Sequence, residues 1–330
     1  MSWKGIDIFR HDTAFPFMKW KEWAIGLSVA LGLISLALMY KPGLNYSIDF
    51  KGGTLIEIQS KSGPANLAAI RETVNKLGLG EVLVQGFAKD TDVLLRVAAQ
   101  DGGDKAQAAA IEKIKAGLGD SVEYRRTESV GPTVSGELRL IGIYAVLASL
   151  VGICVYVWFR FEWQFALGAL VALWHDVLIT TGAFVILQYD FDINVLGALL
   201  TIIGYSVNDT VVIYDRIREN LRKYKKMPIE QLIDKSVNEM LARTIMVSAT
   251  VFIALLALYF FGPHVIHNFT FAMLFGVIIG TYSSIFIAAP LLGYLGVKRE
   301  WTGTGDKAAT AKARPAATPA APARPKVAYK

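Results

Sequence analysis

Six long, nearly uncharged runs constrain this chain more than any other feature. Trp23–Tyr40, Leu138–Phe159, Phe165–Leu187, Ile193–Tyr214, Ile245–Phe261 and Phe269–Leu295 are each apolar and roughly the length that crosses a bilayer. About 20 helical residues span the ~30 Å hydrocarbon core. The mean hydropathy of +0.40 and the 53% hydrophobic content come from these runs, not from an evenly apolar sequence. Trp23–Tyr40 is long for a signal-peptide core and lacks a small-x-small cleavage site, so it reads as a retained anchor.

Residues 41–137 differ in kind: charged, of mixed sign and without a spanning run. Strand-forming stretches at Thr54–Gln59, Val82–Phe87, Asp92–Ala98 and Val122–Thr127 alternate with helical patterns at Asn66–Leu77 and Lys105–Leu118. Asn66 and Asp104 are the expected N-caps. The order β-α-β-β-α-β is the ferredoxin-like pattern. The fold class expected is therefore an α-helical membrane protein of six transmembrane helices, with one extracytoplasmic α+β ferredoxin-like domain between helices 1 and 2.

Basic residues orient the spans. Lys and Arg crowd the N-terminal segment 1–22, the connection 215–240 (Arg216, Arg218, Arg222, Lys223, Lys225, Lys226, Lys235) and the C-terminus, whereas Gln188–Asp192 and Gly262–Asn268 carry none. By the positive-inside rule both termini lie in the cytoplasm, and 41–137 lies on the far side. The fifth span, taken from its polar start, covers 241–261. From Thr302 the chain is an Ala/Pro-rich basic tail with too few large apolar groups to fold, hence expected to be disordered. Much of the formal net charge of +6 sits in that tail, so nucleic-acid binding has little support.

Charges inside the spans carry the functional signal. Asp209 follows Asn208 within the fourth span, and His175–Asp176 falls near the middle of the third. A carboxylate at the centre of a span costs about 2.5–3.5 kcal/mol on insertion scales, so such groups face protein or water and mark pathways. Asp209 lies about 8 Å from the midplane on the basic-loop side. Asn208 lies about 100° away round the helix, so one residue can hold structure while the other exchanges protons. Arg243 precedes the fifth apolar run, where a long basic side chain can also simply snorkel to the interface. Positions 175 and 176 are adjacent, so the two side chains are not expected on one helix face.

Small residues Ala272, Gly276, Gly280, Ser284 and Ala288 recur every fourth position, a face for packing within the bundle or against a second membrane protein. Gly197, Thr201, Gly204 and Asn208 form a similar stripe. The one cysteine, Cys154, excludes an intramolecular disulfide. His264 and His267 have no ligand partners close in sequence, and no phosphate-binding motif is present, so no metal, cofactor or enzymatic activity is expected.

The segments IDFKGGT (Ile48–Thr54), ESVGPTVSGEL (Glu128–Leu138), FRFEW (Phe159–Trp163), HD (His175–Asp176), GYSVNDTVVIYDRIREN (Gly204–Asn220) and ART (Ala242–Thr244) occur in one order. In these the chain resembles the SecD/SecF family of the resistance-nodulation-division superfamily over about residues 5–296. It departs from the family pattern at Ser47 and Ser135, both at the junction of the external domain with the membrane. The resemblance implies a six-helix half-transporter in the bacterial inner membrane, paired with a SecD partner. It also implies association with the SecYEG channel and YajC, work on unfolded secretory chains driven by a proton or sodium gradient, and contact with membrane lipids. Asp209, Arg243, Asn208, Asp176 and His175 are then the ion pathway; Asp49, Gly52, Gly53, Gly131 and Pro132 form the junction motif. The rival readings are a proton-driven exporter of small molecules or lipids and a non-transporting assembly scaffold.

Overall fold

A computed structural model describes residues 14–87 and 89–297; the Ala/Pro-rich tail and most of the N-terminal segment lie outside the described residues. The helical and strand elements, in chain order, are α1 (Lys21–Tyr40), β1 (Asn45–Tyr46), α2 (Ile48–Lys51), β2 (Gly53–Ser60), α3 (Leu67–Asn75), β3 (Val82–Phe87), β4 (Lys89–Val97), α4 (Gly103–Leu118) and β5 (Val122–Val130). They continue with α5 (Pro132–Arg160), α6 (Trp163–Leu187), β6 (Asp190–Phe191), α7 (Ile193–Lys223), α8 (Ile229–Phe261), α9 (His267–Ser283), a π-turn over Ser284–Ala288, and α10 (Ala289–Tyr294). Six helical stretches are long and apolar enough to cross a membrane.

Period-two alternation decides how the α+β domain folds. In β4, Val93, Leu95 and Val97 are buried, whereas Leu94 and Arg96 lie on the opposite face. The buried set joins Ile56 and Ile58 of β2 to Val74 of α3 and Ala110, Ile114 and Leu118 of α4 in one core. The sheet is antiparallel in the order β3-β4-β2-β5, with a register irregularity between Glu57 and Ile58. Both helices therefore cover one face, in the ferredoxin-like arrangement. Asn66 caps α3 by accepting from the Ala69 amide at 3.1 Å. Asp104 does not cap α4; Gly102 holds the N-cap position in a left-handed conformation that starts the helix earlier.

The sheet's open face looks onto the adjoining end of the bundle. Between them lies a cleft of about 670 Å³, lined by Glu57, Arg96, Arg126 and Glu128 from the domain and by Asp49, Asp190, Asp192 and His264 from the connections. At the other end of the bundle, Asn238 and Asp234 of α8 accept the backbone amides of Phe15 and Met18 at 2.9 and 2.8 Å.

The basic connection expected over 215–240 is a correction: most of it is helix. Helix α7 continues to Lys223, and α8 begins at Ile229. Ile217 and Leu221 of α7 and Leu232, Ile233 and Val237 of α8 are all buried, a helical apolar period that a search for unbroken apolar runs passes over. The charges sit on the outer faces, where Glu239 meets Arg216 at 2.6 Å and Lys235 at 3.2 Å.

Small residues set the helix spacing. A Cβ on Gly276 of α9 would run into the Ile202 side chain of α7, and one on Gly280 would sit 3.0 Å from the Ser206 Cβ. The 272–288 face is thus spent on packing inside the bundle. The stripe Gly197, Thr201, Gly204 and Asn208 behaves differently: Thr201, Gly204 and Asn208 are exposed, and nothing lies within 4 Å of a Cβ built at Gly197 or Gly204.

The junction motif has a defined geometry. Ser47 caps α2, its hydroxyl accepting from the Asp49 amide at 3.2 Å, a service that glycine at this position could not give. Gly52 (φ 76°) and Gly53 (φ 121°) then turn the chain into β2. Gly131 is the N-cap and Pro132 the first residue of α5, and Ser135 is buried beside them. Strand β1 pairs in parallel with β6, and Asp192 caps α7 by accepting from the Val195 amide at 2.8 Å.

Burial raises the Asp192 carboxyl above its ordinary value, the Val195 and Asn194 hydrogen bonds oppose the rise, and the nearby Asp49 carboxylate adds to it. The folded protein therefore holds this proton more tightly than the unfolded chain, and Asp192 favours folding increasingly as pH falls from neutral towards the carboxylate range. Asp192→Asn keeps a capping oxygen without the charge. Its melting temperature in detergent is expected to exceed the parent's at neutral pH, with the gap narrowing as pH falls towards the carboxylate range. Asp192→Ala loses the cap and should cost about 1 kcal/mol.

Candidate functional site

Two carboxylates lie inside the bundle, and their surroundings differ. Asp176 on α6 is wholly buried. Its Oδ2 accepts from Ser206 Oγ of α7 at 2.6 Å and from Ser283 Oγ of α9 at 2.9 Å. Its Oδ1 lies 3.0 Å from His175 Nδ1. The expectation that His175 and Asp176 do not share a helix face is therefore corrected: both side chains bend along the α6 surface far enough to meet. Sequence reasoning did not name Ser206 or Ser283, because hydroxyls in an apolar run give no periodic signal of their own.

Asp209 is held differently. It is 4% exposed, and the hydrogen bond found for it comes from Ser248 Oγ of α8 at 3.4 Å. Ser248 also lies 2.8 Å from Thr281 Oγ1 of α9 and accepts from Tyr205 Oη at 3.3 Å. Asp209 and Arg243, both named for the ion pathway, make no ion pair among the described residues. Arg243 is exposed on α8, with no ion pair among the described residues, and acts on Asp209 only at longer range. Beside it the buried Thr244 hydroxyl has no hydrogen-bond partner.

Distances decide which group is free to change state. Charge-assisted O–H···O⁻ bonds run about 2.5–2.7 Å and neutral ones about 2.7–2.8 Å, so a contact of 3.4 Å is weak. Asp176 is locked by three hydrogen-bond partners from three helices. Asp209 has one long bond, one turn or less from the exposed Asn208 and near the exposed Arg243. Below it the same interface stays polar, with Thr210 and Ser284 hydroxyls 2.8 Å apart and Tyr214 Oη donating to the Ala288 carbonyl at 3.2 Å. That carbonyl lies in the π-turn, and such turns recur at functional sites in helices. Among the described residues no cluster of His, Cys, Asp and Glu could hold a metal ion.

Bilayer-length helices with carboxylates in their interior, and an α+β domain inserted after the first helix, define a multi-pass membrane protein of the transporter type. The family model for the protein export membrane protein SecD/SecF, C-terminal, matches residues 110–298, and that for the SecD/SecF GG motif matches 37–63. The protein translocase subunit SecF of Cereibacter sphaeroides is 46% identical, the match covering 86% of this chain and 90% of that one. The chain belongs to the SecD/SecF family of protein export membrane proteins.

The longer SecDF subunit of Brucella abortus is 44% identical over 89% of this chain, which spans only 39% of that relative. A crystal structure of SecDF from Thermus, described as translocon-associated, superposes with a TM-score of 0.79 at 32% identity. The superposition covers 88% of this chain and 40% of the Thermus chain.

Proposed function

We propose that this chain is one half of a gradient-driven protein-export complex in the bacterial inner membrane, with Asp209 as the group that takes up and releases the coupling ion. The observation that carries the reading is the uncovered stripe Thr201, Gly204 and Asn208 beside exposed Arg243. Thr201 satisfies its hydroxyl on the Gly197 carbonyl at 2.8 Å. The Asn208 and Arg243 side chains make no hydrogen bond or ion pair among the described residues. An unsatisfied polar group in hydrocarbon costs several kcal/mol, so this face needs a protein neighbour. The SecDF relatives are longer, this chain spanning about two fifths of each, which leaves length in one polypeptide for such a neighbour. In this reading the neighbour is a SecD-like half, facing α7 around a pseudo-twofold axis.

In this reading Asp209 alternates between its weak bond to Ser248 and a proton or sodium ion, and Asn208 and Arg243 meet the partner's groups across the interface. Asp176, His175, Ser206 and Ser283 hold α6, α7 and α9 together so that the change at Asp209 moves α7 as a unit. The basic end of the bundle is cytoplasmic and the α+β domain periplasmic, where it acts on chains leaving the SecYEG channel. The test pairs a pull-down from native membranes with an export assay. A six-span SecD-like partner should co-purify, and collapsing the gradient should remove the chain's contribution to export. Gly204→Leu enters open space, so it should leave the isolated chain's stability intact and abolish co-purification. Undiminished co-purification in that variant, or recovery only as a homo-oligomer, would sink the reading.

A further inference from the structure

The junction motif meets α7 at its first amide. Asp49 Oδ2 accepts from the backbone N–H of Ile193 at 3.0 Å, and Ser47 Oγ donates to the same Asp49 oxygen at 3.1 Å. Asp192 caps α7 from within its own chain segment and so travels with the helix, whereas the Asp49 bond crosses from α2 to α7. Neighbouring bonds cross at the same place. The Ser47 amide donates to the Phe191 carbonyl at 3.0 Å, Asn45 Nδ2 donates to Asp190 Oδ1 at 2.7 Å, and Arg96 Nη2 of β4 lies 2.5 Å from Asp190 Oδ2. Phe50, next to Asp49, is buried in the core that contains Val195, Leu199 and Ile202 of α7.

No slack segment separates this contact from the sheet. Helix α2 ends at Lys51, Gly52 follows, and Gly53 already pairs with Val130 as the first residue of β2. Strand β2 is central in the sheet, between β4 and β5, and β5 runs through Gly131 directly into α5. The domain is thus gripped twice: at the head of α7, through Asp49 on the Ile193 amide and through Asp190 of the preceding β6, and by α5 through the chain itself. A shift of α7 along its axis relative to α5 must pull on β2 and tilt the sheet.

We infer that Asp49 is a positioning residue that carries displacement of α7 into the α+β domain, by holding the Ile193 amide at the head of the helix on which Asp209 sits. Asp209 lies 16 residues from Ile193 in that helix, about 24 Å along a continuous α-helical rod. The inference rests on the reading of Asp209 as the ion-exchanging group.

Hydrogen exchange followed by mass spectrometry on the complex in membranes separates the two. Asp209→Asn mimics the neutral state and is expected to change amide exchange in α7 around residue 209 and, several-fold, in Asn45–Ser60. Adding Asp49→Ala should abolish the response in Gly53–Ser60 while the response in α7 persists. Adding Asp49→Asn instead, which keeps an oxygen for the Ile193 amide, should restore it. A response in Gly53–Ser60 that survives Asp49→Ala, or that stays absent in Asp49→Asn, overturns the inference and leaves the Asp209 reading standing. No response to Asp209→Asn even within α7 overturns both.

Discussion

Asparagine in place of Asp209 is expected to lower gradient-stimulated export by about tenfold or more while the chain stays in its complex. The magnitude follows from the driving force. One charge moved through about 100 mV is worth ~2.3 kcal/mol. At ~1.4 kcal/mol per decade, that is roughly a 50-fold bias between two states. A ligand or proton shifts an equilibrium only through its different affinity for the two states, and an amide has none for a proton. Assembly should survive, because Asp209 contributes a single 3.4 Å hydrogen bond to the bundle. The measurement is export into inverted membrane vesicles with and without an imposed gradient, alongside the yield of intact complex. A scaffold role makes the opposite forecast, a loss of complex with the gradient response of the remainder unchanged.

Gly53→Ala should be among the most damaging small substitutions in the chain, costing on the order of 2–6 kcal/mol. Gly53 has φ of 121°, a conformation that costs an L-residue roughly 1–3 kcal/mol. Its added Cβ would also collide with the Val97 carbonyl oxygen, a backbone atom fixed in the neighbouring strand, and overpacking of that kind adds about 1–3 kcal/mol. Gly204→Ala is the control. That position lies inside α7 with open space around it, so alanine should be neutral or stabilising by up to about 1 kcal/mol. Thermal unfolding of the two variants in detergent, with limited proteolysis of the β2–β5 region, reads the difference. Equal melting temperatures would show that the junction relaxes around the new methyl group.

Much of this protein could be read before any fold was seen. Spans announce themselves by length and lack of charge, since backbone in hydrocarbon must satisfy its own hydrogen bonds and helices do so locally. The β-α-β-β-α-β order followed from alternation and turn residues, which are also local. What failed was non-local or interfacial. The 215–240 segment reads as a loop because its charges mask the apolar period of Ile217, Leu221, Leu232, Ile233 and Val237. His175 and Asp176 were separated by an average helix rule that two side chains bending along one surface can evade.

Within the candidate site the division is sharper. The carboxylate of Asp209, in a run too apolar to tolerate it cheaply, was visible as an insertion anomaly. Its neighbours were not, since Ser248 and Thr281 come from helices 39 and 72 residues further along the chain. The sequence by itself determined that this chain spans a membrane six times, inserts an α+β domain after the first span and carries ionisable groups where lipid would reject them. Each of those properties is set by local composition against the solvent. Tertiary structure alone decided that Asp176 is locked by three hydrogen-bond partners while Asp209 is loosely held, and that Asp49 meets α7 at its first amide. Those are distances between side chains and backbone remote in sequence, fixed only when the helices pack.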